Sequence, residues 1–121
     1  MSKPILCLDF DGVIHSYESG WKGAAAIPDD PVPGAAEFIR TAHEHFAVQV
    51  YSARSGQDGG IEAMRAWCHF HLGHEVANML AFPMSKPPAF VSLDDRVLTF
   101  EGVWPDVQAL REFKPWNKRE A

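Results

Sequence analysis

Four apolar residues, Ile5 to Leu8, run straight into two carboxylates one residue apart and then a glycine, in the stretch ILCLDFDGVIH. A continuously apolar run of this length is the pattern of a strand covered on both faces, hence of a parallel strand inside an α/β layer. Asp9 then falls at the carboxyl end of that strand. Two acids so close at the end of a buried strand are costly unless a cation or a shared proton offsets their repulsion.

The rest of the chain alternates helical and strand patterns. Residues 33 to 45 place Ala35, Phe38, Ile39 and Ala42 on one helical face, with Pro33 near the first turn. Phe46 to Ala53 is rich in β-branched and aromatic residues and reads as the second strand, with Ser52 near its carboxyl end. Residues 60 to 72 carry Ile61, Met64, Trp67, Cys68 and Leu72 at helical spacing, entered through Gly59 and Gly60. NMLAF reads as a short third strand, AFVSLDD as a fourth and VLTF as a fifth, and Pro105 to Phe113 as a last short helix. This β-α-β-α order predicts an α/β fold. A Rossmann-like parallel sheet with helices on both faces forms one domain over residues 1–121, with the ligand site beyond the carboxyl ends of the strands.

A chain of 121 residues is long enough to bury one core without staples. The apolar run before Asp9 is too short for a signal sequence or a membrane span, so a cytoplasmic protein with no membrane partner is expected. Cys7 and Cys68 lie inside apolar segments and read as buried free thiols. The net charge is −5, and setting aside Asp9, Asp11, Asp94 and Asp95 would leave −1, so the acidity belongs largely to one cluster. No run of lysine or arginine marks a nucleic-acid face.

The topology gathers residues distant in sequence. Asp9 and Asp11 leave strand one, Ser52 leaves strand two, and Asp94 with Asp95 leaves strand four. With DFDGV, Ser52 in VYSAR, Lys86 in SKPPA and LDD at Leu93 to Asp95, the chain resembles the haloacid dehalogenase (HAD) superfamily of phosphotransferases, through all four of its motifs in order and over nearly the whole length.

The resemblance implies a Mg2+-dependent phosphatase that hydrolyses a phosphate monoester through an aspartyl-phosphate on Asp9. Magnesium takes oxygen ligands in octahedral geometry and keeps some waters, so a few carboxylates and a substrate phosphate suit it. By the same resemblance Asp11 is the general acid and then the base, and its backbone carbonyl ligates the metal. Ser52 and Lys86 hold the transferring phosphoryl group. Asp94 completes the metal shell, with Asp95 beside it directly or through water.

Other residues keep two readings. Arg54, two past Ser52, either reaches a phosphate or is a solvated charge. His15 either supports the active loop or is a solvated loop histidine. His69, His71 and His74 with Cys68 look like a metal cluster, but His69 and His71 do not share a helical face, and structural zinc needs four ligands. Trp21, Trp67, Trp104 and Trp116 read as core or rim aromatics.

Larger members of that superfamily insert a cap domain after the first or second motif. Here His15 to Pro31 spans seventeen residues, room for a flap but not a domain. The interval from Ser52 to Lys86 is filled by one helix and one short strand. An open, capless site accepts a bulky substrate, such as a macromolecular end, or a small one covered by a neighbouring subunit in a homo-oligomer. The alternative is a non-catalytic phosphate- or metal-binding regulatory module of the same fold. A phosphorylated receiver domain fits less well, since its acidic pair and its acceptor aspartate would sit on different strands.

Overall fold

The computed structural model describes residues 2–119. Three parallel strands, β1 (Ile5–Leu8), β2 (Ala47–Val50) and β3 (Val91–Leu93), form a sheet of order β2-β1-β3. The helices are α1 (Ala35–His45), α2 (Gly60–Leu72), α3 (His74–Ala77) and α4 (Val107–Arg111), and Trp116–Lys118 adds one 3-10 turn. The molecule is therefore a small α/β unit with a parallel sheet.

Register explains where its core lies. Leu6 pairs with Val48 and Leu8 with Val50, so these four point to one face, while Cys7 with its partners Gln49 and Ser92 points to the other. Leu6, Leu8, Val48 and Val50 join Ile39 and Ala42 of α1, Met64, Trp67, Cys68 and Leu72 of α2, and Val76 and Ala77 of α3 in one buried cluster. Helices are thus seen covering the Leu6 face. On the Cys7 face, the neighbours are Lys86, Val97 and Tyr51, which share with Cys7 and Ser92 a cavity of about 150 Å3.

Several boundaries differ from the sequence expectation for local reasons. α1 starts at Ala35 instead of Pro33 because Gly34 adopts a left-handed conformation (φ 87°) immediately before it. α4 starts at Val107 because the Asp106 carboxylate caps it, accepting the Ala109 N–H at 3.0 Å. NMLAF makes only an isolated parallel bridge between Gln49 and Ala81, held by two hydrogen bonds. Pro83 follows two residues later and cannot donate to a ladder. The expected strand over VLTF does not form, and Val97, Leu98 and Phe100 stand exposed. α2 covers residues 60–72 as the spacing predicts, and Gly73 (φ 87°) ends it.

No described helix is long and apolar enough to cross a membrane. Between Asp11 and Ser52 the chain holds only a flap with bridges, then α1 and β2; between Ser52 and Lys86 it holds α2 and α3. There is no cap domain in either interval.

Candidate active site

The end of β1 separates its two acids. The Asp9 N–H donates to the Leu93 carbonyl at 2.9 Å, which ties the end of β1 to the end of β3. Phe10 turns back into the core, fully buried, and its carbonyl accepts the N–H groups of Ile14 and His15 at 2.9 Å each. Asp9 therefore precedes a tight turn and Asp11 lies within it.

Asp9 joins Asp94 and Asp95, and oxygens of the three carboxylates lie within 4.8 Å of one another. Asp9 accepts the Phe10 N–H at 2.8 Å. Burial, then a hydrogen bond with Asp95, then the charge of Asp94 push the Asp9 carboxyl up to about 8. Gly12 makes this packing feasible. Its φ is 85°, and a Cβ there would collide with the Asp95 carboxylate.

The carboxylate of Asp11 belongs to a different group. Arg54 donates to it through Nε (2.9 Å to Oδ2) and Nη2 (3.1 Å to Oδ1), and His15 Nδ1 lies 2.8 Å from Oδ1. Burial pushes the Asp11 carboxyl up, but the hydrogen bonds and charges of His15 and Arg54 outweigh it and hold the carboxyl below the usual range. His15 Nε2 accepts the Asp29 N–H at 3.1 Å, so the ring proton sits on Nδ1 and is donated to Asp11. His15 is wholly buried between Phe10 and Trp67 and is not a solvated loop residue.

Arg54 is neither solvated nor open to a ligand. It is fully buried, and its Nη1 donates to the carbonyls of Gly23, Ala24 and Ala26. Its guanidinium also lies 4.8 Å from the centroid of Trp21, a half-exposed ring on the flap. The start of α2 presses on the same residue, since a Cβ at Gly60 would meet the Arg54 carbonyl.

Ser52 is buried, and its Oγ accepts the Arg54 N–H at 2.9 Å, which leaves the hydroxyl proton to donate. No hydrogen bond joins Ser52 to Asp9 among the described residues. Lys86 is exposed and lines the small cavity with Asp9 and Asp94. The four acids grouped from sequence thus divide into three at the strand ends and one beneath the flap, with Lys86 beside Asp9 and Asp94.

Cys7 and Cys68 are free and buried. Of the other motif, His71 packs on Trp67 at 4.5 Å, Cys68 is enclosed in the core, and only His69 and His74 meet, at 2.6 Å between their Nδ1 atoms. The four residues do not form one site.

Sequence reasoning missed what holds the flap and the turn. The Trp116 Nε1–H donates to the Gly12 carbonyl at 2.8 Å, and Asn117 Nδ2 to the Ser16 carbonyl at 3.1 Å. Trp67 donates to the Asp29 carbonyl at 3.1 Å. Backbone acceptors leave no mark in composition or spacing; the half-apolar side chains of Trp67 and Trp116 are the hint. Comparison of the chain with family models, with curated proteins and with solved structures found no match.

Proposed function

We propose that this chain is a Mg2+-dependent phosphohydrolase of HAD type, acting on a phosphate monoester of a small molecule or a macromolecular end. The observation that carries the reading is the clustering of Asp9, Asp94 and Asp95, with Lys86 lining a cavity that Asp9 and Asp94 also line. Three hard oxygen donors in mutual reach, one of them pushed towards its protonated form by burial and then by the other two, fit a divalent cation. Asp9, Asp94 and Asp95 would hold it with the backbone carbonyl of Asp11. When bound, the metal offsets negative charge on the phosphoryl oxygens and on the acids around them.

A carboxylate oxygen of Asp9 attacks phosphorus, and the bond from phosphorus to the ester oxygen breaks. Lys86, and the Ser52 hydroxyl if the phosphoryl group reaches it, neutralise charge on the transferring oxygens. Water then attacks phosphorus, its proton passes to a base, phosphate leaves and Asp9 is restored. Asp11, kept ionised by Arg54 and His15, suits the base half of this cycle. To protonate a leaving oxygen it must first take up a proton, which its contacts with His15 and Arg54 oppose.

That ion pair also favours a second reading, a binding module that keeps the acidic pocket without turnover. An aryl phosphate assay separates the two. Under the enzyme reading, release of nitrophenolate requires Mg2+, stops with chelator and is abolished in Asp9→Asn while the fold survives. Absence of turnover by the wild type across metabolite, nucleotide, oligonucleotide-end and phosphopeptide substrates leaves the binding module as the correct reading.

A further inference from the structure

Away from the acidic cluster, two histidines aim the same ring atom at one point. His69 stands in the last turn of α2, and His74 opens α3. Gly73 between them, at φ 87° and ψ 156°, ends one helix and redirects the chain into the next. The two rings meet across that corner. Their Nδ1 atoms lie 2.6 Å apart, and their centroids lie 4.9 Å apart with the planes at 47°.

At that separation one Nδ1 carries a proton and the other accepts it. Moving the proton of the donor ring to its own Nε2 turns both Nδ1 lone pairs towards one position. A metal ion needs this arrangement, because imidazole ligates through an unprotonated nitrogen. Two imidazole nitrogens at about 2.0–2.1 Å from one tetrahedral ion stand roughly 3.3 Å apart, so the rings part by less than about 1 Å to admit it.

Access and donor chemistry give the class of ion. His74 is exposed and His69 partly so, and both line a groove of about 700 Å3 in which Glu62 and Arg65 carry opposite charges. Among the described residues no third histidine, cysteine or acid converges on the pair, so water completes the shell. His71 is held elsewhere by its packing on Trp67, and Cys68 is enclosed in the core. Two protein ligands make an exchangeable site, not a four-ligand structural zinc. Imidazole nitrogens select borderline first-row ions, Cu2+ above Zn2+, whereas the carboxylates around Asp9 suit hard ions.

We propose that His69 and His74 form a surface site for a borderline divalent transition-metal ion, held through their two Nδ1 atoms with water at the remaining positions. The site is independent of the chemistry proposed for Asp9.

Titration of the full chain with Cu2+, read by electron paramagnetic resonance, tests it, with Mg2+ in excess to compete for the carboxylates. The wild-type spectrum should show coupling to two nitrogens. His69→Ala and His74→Ala should each weaken binding on the order of 100-fold, because losing one arm of a chelate forfeits its effective concentration. His45→Ala, at an exposed position ending α1, should leave it unchanged. A wild type without nitrogen coupling, either alanine variant binding as the wild type does, or an equal loss in His45→Ala overturns the proposal. Should circular dichroism show an alanine variant unfolded, nuclear magnetic resonance of the wild-type imidazoles decides. Substoichiometric Cu2+ that broadens the His69 and His74 rings ahead of His45 supports the site, and equal broadening refutes it.

Discussion

Arg54 grips Asp11 with a fork, Nε at 2.9 Å from one carboxylate oxygen and Nη2 at 3.1 Å from the other, while its Nη1 holds three carbonyls of the flap. One buried side chain thus fixes the second acid of the β1 turn and the loop above it. The ion pair also decides what Asp11 can do, because a carboxylate held this way stays ionised at neutral pH.

Arg54→Ala removes one partner of a buried pair and leaves the other uncompensated, a loss of about 3–5 kcal/mol. Thermal melting should fall by roughly 10 °C or more for a domain of this size, and protease should cut between Glu18 and Ala25. Arg54→Lys restores the charge but not the fork and should recover little. The Asp11 carboxyl is lowered in the fold, so the pair's contribution is complete above the ordinary carboxylate range and is lost as pH falls through the lowered value. The gap between wild type and Arg54→Ala should therefore hold from about pH 6 to 8 and narrow in acid. Equal melting of the two proteins at pH 7 would refute the structural role.

Magnesium should raise the melting temperature of the wild type, since a ligand that binds only the folded form stabilises by mass action. Asp94→Asn and Asp95→Asn each remove a charged oxygen from the cluster and should reduce that rise. Differential scanning fluorimetry with and without about 10 mM Mg2+ reads it. A wild type indifferent to Mg2+, Mn2+ and Ca2+ would mean that the three acids hold no cation.

Much of this arrangement was legible in the sequence. The uninterrupted run Ile5 to Leu8 marks the central strand, Ile61 to Leu72 marks α2, and LDD after a short β-like run places Asp94 and Asp95 beside Asp9. These signals are periodicities and strand ends, which the backbone imposes locally. The partition of the acids was not legible. Whether Asp11 turns to the metal cluster or to Arg54 depends on a guanidinium 43 positions away and on flap carbonyls that carry no side-chain code. The failed strand over VLTF has the same origin, because an apolar run becomes a strand only where a ladder accepts it, and β3 has no further neighbour among the described residues.

Gly12→Ala and Gly20→Ala make a paired test of the turn. Both glycines have left-handed φ, 85° and 76°, so either substitution costs about 1–2 kcal/mol in backbone strain. Only at Gly12 does the new Cβ meet the Asp95 carboxylate; at Gly20 it meets open space. Both variants should melt a few degrees lower, and Gly12→Ala alone should lose the stabilisation by Mg2+. Equal Mg2+ responses in the two would show that Asp95 does not depend on the bare turn.

The two thiols offer a probe that needs no substrate. Burial pushes the Cys68 thiol up to about 12, and burial also raises Cys7, which faces the small cavity shared with Asp9 and Lys86. An ordinary thiol is about half ionised at pH 8.5, whereas one at about 12 holds a thiolate fraction of roughly one in 3,000. With a disulfide reagent at pH 8.5, Cys68 should react only as fast as the chain unfolds, so its rate should climb with denaturant along the unfolding transition. Cys7 should react sooner, through local opening on the cavity side. A group whose proton is held more tightly in the fold favours folding below its unfolded value and loses that contribution as pH rises through the folded one. Stability should therefore decline above about pH 9, and Cys68→Ala should blunt the decline while lowering stability at pH 7 through a small core vacancy. In denaturant without reductant both cysteines should label. Rapid labelling of Cys68 in the native protein would show that α2 does not bury it, and labelling of fewer than two thiols in denaturant would show that they are not both free.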